Sequence, residues 1–137
     1  MASVPDRAST AAGRLPRISI ITAALNPGPE VAQTMQSVCE QGYANLQYIF
    51  VDGGSRPECF AAVEPWLPSV SLLIREPDEG ISDAWNKALA VADGDIVGLI
   101  NADDYLLPGT LHKVAAAFAS QPGTAIVHGN ARRIEGG

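Results

Sequence analysis

Short apolar runs rich in β-branched residues alternate along the chain with turn residues and stretches of helical spacing. Ile18–Leu25 (ISIITAAL) is unbroken, the pattern of a strand buried on both faces. NPGP interrupts it, and Pro29 suits the first turn of a helix. Val31, Met35 and Val38 then recur at helical spacing, with Gly42 as the stop. Leu46–Asp52 (LQYIFVD) predicts a second strand, punctuated by GGSRP, and Pro57–Trp66 a helix ended by Pro68. Val70–Glu76 predicts a third strand and PDEG a turn. Ile81, Ala84, Trp85, Ala88 and Leu89 line one face of the next helix. Asp95–Asn101 predicts a fourth strand. Pro108 opens a helix with Leu111, Val114, Ala115 and Phe118 inward, and Thr124–Asn130 (TAIVHGN) predicts a fifth strand. Residues 1–17, small, polar and Pro-containing, read as a flexible tail ahead of a domain over residues 18–137.

Strand and helix alternate throughout, which predicts an α/β fold: a mostly parallel sheet with helices on both faces. Such sheets bind ligands at the carboxyl ends of their strands, where the strand order reverses. The polar residues gather at those ends. Asn26 follows the first strand, Asp52 ends the second, Glu76 to Glu79 follow the third, and Asp103 and Asp104 follow the fourth. Pattern alone therefore puts the carboxylates on one rim of the sheet.

Composition narrows the function classes. The net charge is -6, from nine Lys and Arg against fifteen Asp and Glu, which argues against a general nucleic-acid binder. Cys39 and Cys59 have no ligand spacing and read as reduced, half-buried thiols of a reducing compartment. No apolar run reaches membrane-span length, and the N-terminus has no signal-peptide core. These features predict a cytoplasmic protein, free or peripheral at the inner face of the membrane.

Asp103 and Asp104 carry the strongest chemical signal. Adjacent carboxylates repel and need compensation. A divalent cation supplies it, and carboxylate oxygens suit Mg²⁺ or Mn²⁺, which take one or two protein carboxylates and fill their other positions with water and phosphate. A solvated turn leading into a capped helix is the structural alternative. Asp52 in VDGGS reads either as a turn residue or as an acceptor for a ligand, with Gly53 and Gly54 permitting close approach. Neither the dinucleotide fingerprint nor a Walker A sequence is present. His112 falls on the exposed side of its helix, His128 near a strand end, and Trp85 on a core face.

ISIITAALN, YIFVDGGS and the long block REPDEGISDAWNKALAVADGDIVGLINADDYLLPGTL together resemble the nucleotide-sugar-binding half of family 2 glycosyltransferases, which have the Rossmann-like GT-A fold. The match in order and spacing covers about residues 17–130. The resemblance implies that Asp52 bonds the nucleotide base, most often uracil, and that Thr22, Ala24 and Asn26 line the base and ribose pocket. It implies that Asp104 ligates Mn²⁺ or Mg²⁺ bridging the diphosphate, with Asp103 at the ribose, sugar or metal. Asp83 and Lys87 would stand beside the donor. The implied reaction is inverting transfer of a sugar, from a UDP-sugar by expectation, to an acceptor hydroxyl in polysaccharide or glycoconjugate assembly.

The sequence departs from the family pattern in two places. Leu25 stands where the family often has an aromatic residue before the Asn, so it cannot stack on a base. The chain also ends at Gly137, shortly after the predicted fifth strand, where family members continue into the acceptor half that carries the catalytic base. The sequence offers no credible catalytic base, since Glu135 is near the terminus and nothing in its sequence context supports that role. The expectation is thus a GT-A domain truncated after that strand, with its last strand exposing an edge that favours self-association. The alternatives are an inactive nucleotide-diphosphate-binding module and an oligomeric relic of the fold.

Overall fold

A computed structural model describes residues 15–134. Residues 1–14 of the predicted tail, and Glu135, lie outside the described residues. Leu15 to Arg17 are tied down: the Leu15 carbonyl accepts from Asn45, the Pro16 carbonyl from Tyr43, and the Arg17 amide donates to Asp95.

Strand β1 (Ile18–Ala24) is the axis of the sheet. It pairs in parallel with β2 (Leu46–Asp52) on one side and with β4 (Ile96–Leu99) on the other, while β3 (Leu72–Arg75) pairs in parallel with β2. The order is β3-β2-β1-β4, so successive strands step outward from β1 and then reverse to its far side. The α/β prediction holds, with all four strands parallel.

Side-chain alternation sorts the strand residues onto two faces. Ile18 and Ile20 of β1 and Tyr48 and Phe50 of β2 meet helix α1 (Glu30–Cys39) through Val31, Met35 and Val38, and helix α4 (Thr110–Ser120) through Leu111 and Ala115. Ile21, Ala23, Ile49 and Val51 meet helix α3 (Ile81–Val91) on the opposite face, through Ala84 and Ala88. Each wholly buried Ile, Val or Met stabilises the fold by about 1.5–3 kcal/mol over its exposed state.

Three expectations are corrected. The helix predicted over Pro57–Trp66 is a short helix α2 (Pro57–Phe60) followed by a 3₁₀ turn (Glu64–Ser69). Pro65 has no N–H to donate, and its ring would collide with the carbonyl four residues back, so the α-helix cannot run through it. Thr124–Asn130 forms no strand, and Ile126 is 81% exposed. A strand needs a neighbour's backbone groups, and among the described residues this segment pairs with none. Among the described residues the sheet thus ends at β3 on one side and at β4, not a fifth strand, on the other. Finally, Ile81 and Leu89 of α3 are about half exposed rather than inward, as are Val97 and Leu99 of β4. Helix α3 covers the sheet with its alanines and Trp85, and leaves the α3-side face of β4 only partly covered.

A polar cluster closes the opposite end of the sheet. Ser19 donates to Gln47, and the backbone amides of Asp93 and Gly94 donate to Gln47 and Ser19. This seats the α3–β4 turn directly on β1. A Cβ on Gly94 would lie 2.6 Å from the Ser19 backbone nitrogen, so only glycine fits.

Candidate functional site

The strand order reverses at β1, and in open α/β sheets ligands bind beyond the carboxyl ends of the strands at such a point. The β1–α1 loop, the end of β2, the β3–α3 loop and the β4–α4 loop all reach this rim.

Asp52, the last residue of β2, is wholly buried. Its two carboxylate oxygens accept from the Ser55 hydroxyl and the Ser55 amide, and the Arg75 guanidinium donates to it at 3.2 Å. Arg75 also stacks on the Phe60 ring, 3.8 Å from its centroid. A buried charge needs this pairing. Ser55 passes the order on: its hydroxyl oxygen accepts the Asn26 amide at 2.8 Å, and the Asn26 side-chain oxygen accepts the Arg56 amide at 2.8 Å. Asn26 takes φ +48°, the left-handed region, which asparagine tolerates better than most residues. Asn26 and Asp52 are thus brought together through Ser55, which sequence reasoning passed over. The spacing Asp-x-x-Ser at a strand end is the turn signal that points to it.

Thr22 is also wholly buried, its hydroxyl 2.9 Å from the Tyr48 phenol. Burial pushes the Tyr48 pKa well above its ordinary value, with Thr22 opposing as a hydrogen-bond partner. Ala24, one pleat further along, is half-buried at the strand end, and its carbonyl accepts the Gly53 amide at 2.9 Å. Thr22 thus packs beneath the rim while Ala24 borders it.

The β3–α3 loop is pinned by α3. Asp83 accepts the Glu79 amide at 2.9 Å. Lys87 donates to the Pro77 carbonyl at 2.9 Å and pairs with Glu76 and Asp83. Desolvation, the largest single influence on Lys87, works against its charge, but Glu76 and Asp83 together hold its pKa above the ordinary value. The loop also carries Asp78 over Gly53, so close that a Cβ on Gly53 would meet its carboxylate at 2.6 Å. The open backbone expected at Gly53 is occupied by this side chain.

Asp103 and Asp104 stand exposed in the β4–α4 loop. Asn101 donates to the Asp104 carboxylate at 3.3 Å. Among the described residues no group of three or more His, Cys, Asp or Glu could enclose a metal ion. The donor set fits an Mg²⁺- or Mn²⁺-type ion held by two carboxylates and completed by water and phosphate oxygens. Cys39 and Cys59 are free and half-buried, and burial raises the Cys39 thiol. His112 is exposed, its ring edge-on to Tyr43.

Comparison with known proteins decides the family, because the model of glycosyl transferase family 2 matches residues 19–137. The chain belongs to glycosyl transferase family 2. It is 29% identical over 119 residues to a PGL/p-HBAD biosynthesis glycosyltransferase of Mycobacterium bovis, covering 84% of this chain and 46% of that protein. It is 33% identical over 104 residues to an uncharacterized protein of Mycobacterium tuberculosis, covering 75% of this chain and 33% of the other. Among solved structures it resembles a mannosyltransferase from Pyrobaculum calidifontis, in complex with GDP-Man and Mn²⁺, at TM-score 0.67 and 26% identity, over 85% of this chain and 39% of that one. It shares its fold with Staphylococcus aureus TarS in complex with UDP-GlcNAc, at TM-score 0.65 and 21% identity, over 82% of this chain and 37% of that one. The chain therefore spans between a third and a half of these relatives, and the parallel α/β sheet is the glycosyltransferase fold expected from the resemblance.

Proposed function

We propose that this chain is the donor-binding part of an inverting glycosyltransferase that takes a UDP-sugar. The observation that carries the reading is the position of Asp103 and Asp104, exposed at the end of β4 where the strand order reverses, within a family 2 domain. Asp104 holds Mn²⁺ or Mg²⁺, and Asp103 shares that ion or meets the ribose or sugar. The Mn²⁺ in the similar mannosyltransferase structure supports a divalent ion. Base and ribose lie against Ala24, Asn26 and the end of β2, with Thr22 beneath and with Asp52 ordering Ser55 and Arg75. Asp83 and Lys87 hold the β3–α3 loop beside the donor.

In the reaction an acceptor hydroxyl attacks the anomeric carbon from the face opposite the diphosphate. The new C–O bond forms as the bond to the diphosphate breaks, and the bonding electrons leave with the diphosphate oxygen. A base on the acceptor side takes the hydroxyl proton. When bound, the cation neutralises charge building on the leaving group. This chain's own part is to bind and orient the donor.

Calorimetric titration with UDP and with GDP, each with and without Mn²⁺, tests the reading. UDP binding should depend on the metal and should weaken at least about tenfold in Asp104→Ala, the scale of losing a charge-assisted contact. Tighter binding of GDP would transfer the proposal to a GDP-sugar. No binding of either nucleotide with metal present would defeat it.

A further inference from the structure

The loop that presents Asp103 and Asp104 is fastened to α1 by a polar stripe. Thr34, Ser37 and Gln41 follow one another at helical spacing on α1 and the turn after it, beside the apolar stripe of Val31, Met35 and Val38 that faces the sheet. The Thr34 hydroxyl donates to the Asp104 carbonyl at 2.5 Å. The Ser37 hydroxyl oxygen accepts the Leu106 amide at 3.0 Å while its proton goes to the Thr34 carbonyl. The Gln41 side chain donates to the Leu107 carbonyl at 2.9 Å and accepts the Leu111 amide at 3.0 Å. It also donates to the Ser37 carbonyl, which ties the stripe to itself.

Every one of these bonds to the loop lands on its backbone, from Asp104 itself to the first turn of α4. Thr34 is wholly buried and Gln41 nearly so, at 7% exposed. Water therefore cannot readily replace them, and their loss would leave buried polar groups unpartnered. Leu106 and Leu111 already pack the loop against the core. Apolar packing sets the depth of a loop, whereas directed bonds to successive backbone groups set its register along a helix.

We propose that Thr34, Ser37 and Gln41 are positioning residues for the acidic pair. They hold the Asp104 backbone at a fixed height on α1, so that both carboxylates stay exposed at the rim, with the Asn101 side chain donating to the Asp104 carboxylate. The same helix begins at the β1–α1 loop, so the stripe also sets the distance between the nucleoside side of the rim and its acidic side. This inference rests on the donor-site reading above.

Two measurements on the full chain test it. The first is hydrogen exchange without ligand. Thr34→Val, which keeps the shape and removes the hydroxyl, should speed exchange across residues 104–111 by about tenfold while leaving β1 and β2 unchanged, as expected for a local opening. Thr34→Ser should restore protection. The second is titration with Mn²⁺ and UDP. Thr34→Val and Ser37→Ala should each weaken metal-dependent binding about five- to tenfold, the size of one net hydrogen bond. Binding of UDP without metal should weaken less than that, since Asp104 meets the ligand through the ion. Ser37→Ala is the fallback should Thr34→Val fail to fold. Unchanged loop exchange, or metal-dependent binding equal to that of the unmutated chain, would overturn the positioning role alone. Failure of the unmutated chain to bind UDP with Mn²⁺ would overturn the donor-site reading, and this role with it.

Discussion

Tyr48 and Thr22 show how a single pair of hydroxyls can be worth more to the fold than either residue suggests. Both are wholly buried and each is the other's side-chain partner. Removing the Tyr48 hydroxyl alone orphans that of Thr22. Tyr48→Phe should therefore destabilise the chain by about 1–3 kcal/mol in urea unfolding. Adding Thr22→Val removes the orphan, so the double variant should recover much of the loss, and the cycle should report coupling of about 1 kcal/mol or more. Strictly additive losses would mean that the pair does not act as a unit. Asp52 teaches a related lesson. In the sequence it is a carboxylate at a strand end, open to roles as a turn former or as a ligand acceptor. Folding gives it Ser55 and Arg75, residues three and twenty-three positions away. The near partner leaves a trace in the spacing, and the distant one does not, because only the β2–β3 pairing brings Arg75 alongside.

At the scale of elements, periodicity located every strand of the sheet, most plainly β1 and β2, which are buried between two helical layers. It failed where an element's neighbours decide its fate. TAIVHGN has a strand's composition and, among the described residues, no strand paired with it. Ile81 and Leu89 share a helical face with Ala84 and Ala88, yet α3 sits on the sheet through those alanines and Trp85 and leaves Ile81 and Leu89 about half exposed. The α3–β4 turn offers a sharp test of such packing. Gly94 lies against the Ser19 backbone, which has no flexible end to move aside. Gly94→Ala should cost about 1–3 kcal/mol, as overpacking does, with an unchanged denaturant m-value. A variant as stable as the parent would show that the turn can lift from β1 without loss.

The whole molecule should respond to alkali as a unit. Cys39, Tyr43, Tyr48 and Lys87 all have folded pKa values above their ordinary ones: burial is the first cause for the thiol and both phenols, and Glu76 with Asp83 outweigh desolvation for the ammonium. A raised folded value means that the unfolded chain gives up its proton first. The stability these groups contribute is complete below the unfolded values and is lost as pH rises through the folded ones. Stability should therefore hold from neutral pH to about 8.5, the ordinary thiol value, and decline through the phenol and ammonium ranges above it. Tyr48→Phe should flatten that decline. A melting temperature independent of pH between about 8 and 11 would contradict the assignment.

By itself the sequence determined the alternation of strand and helix, the parallel sheet, the rim on which Asp52, Asp103 and Asp104 gather, and the blocks that mark the family. These are local or periodic properties, set by burial and by residue spacing. The tertiary structure decided which polar groups are spent on the fold and which stay exposed at the rim. Thr22 and Asp52 are consumed below the surface, Asp83 and Lys87 hold the β3–α3 loop, and Thr34, Ser37 and Gln41 carry the acidic loop. The bonds of Thr22 and of the α1 stripe join residues tens of positions apart, where spacing carries no information. Asp103 and Asp104 keep exposed carboxylates at the reversal of strand order because other side chains hold their backbone in place.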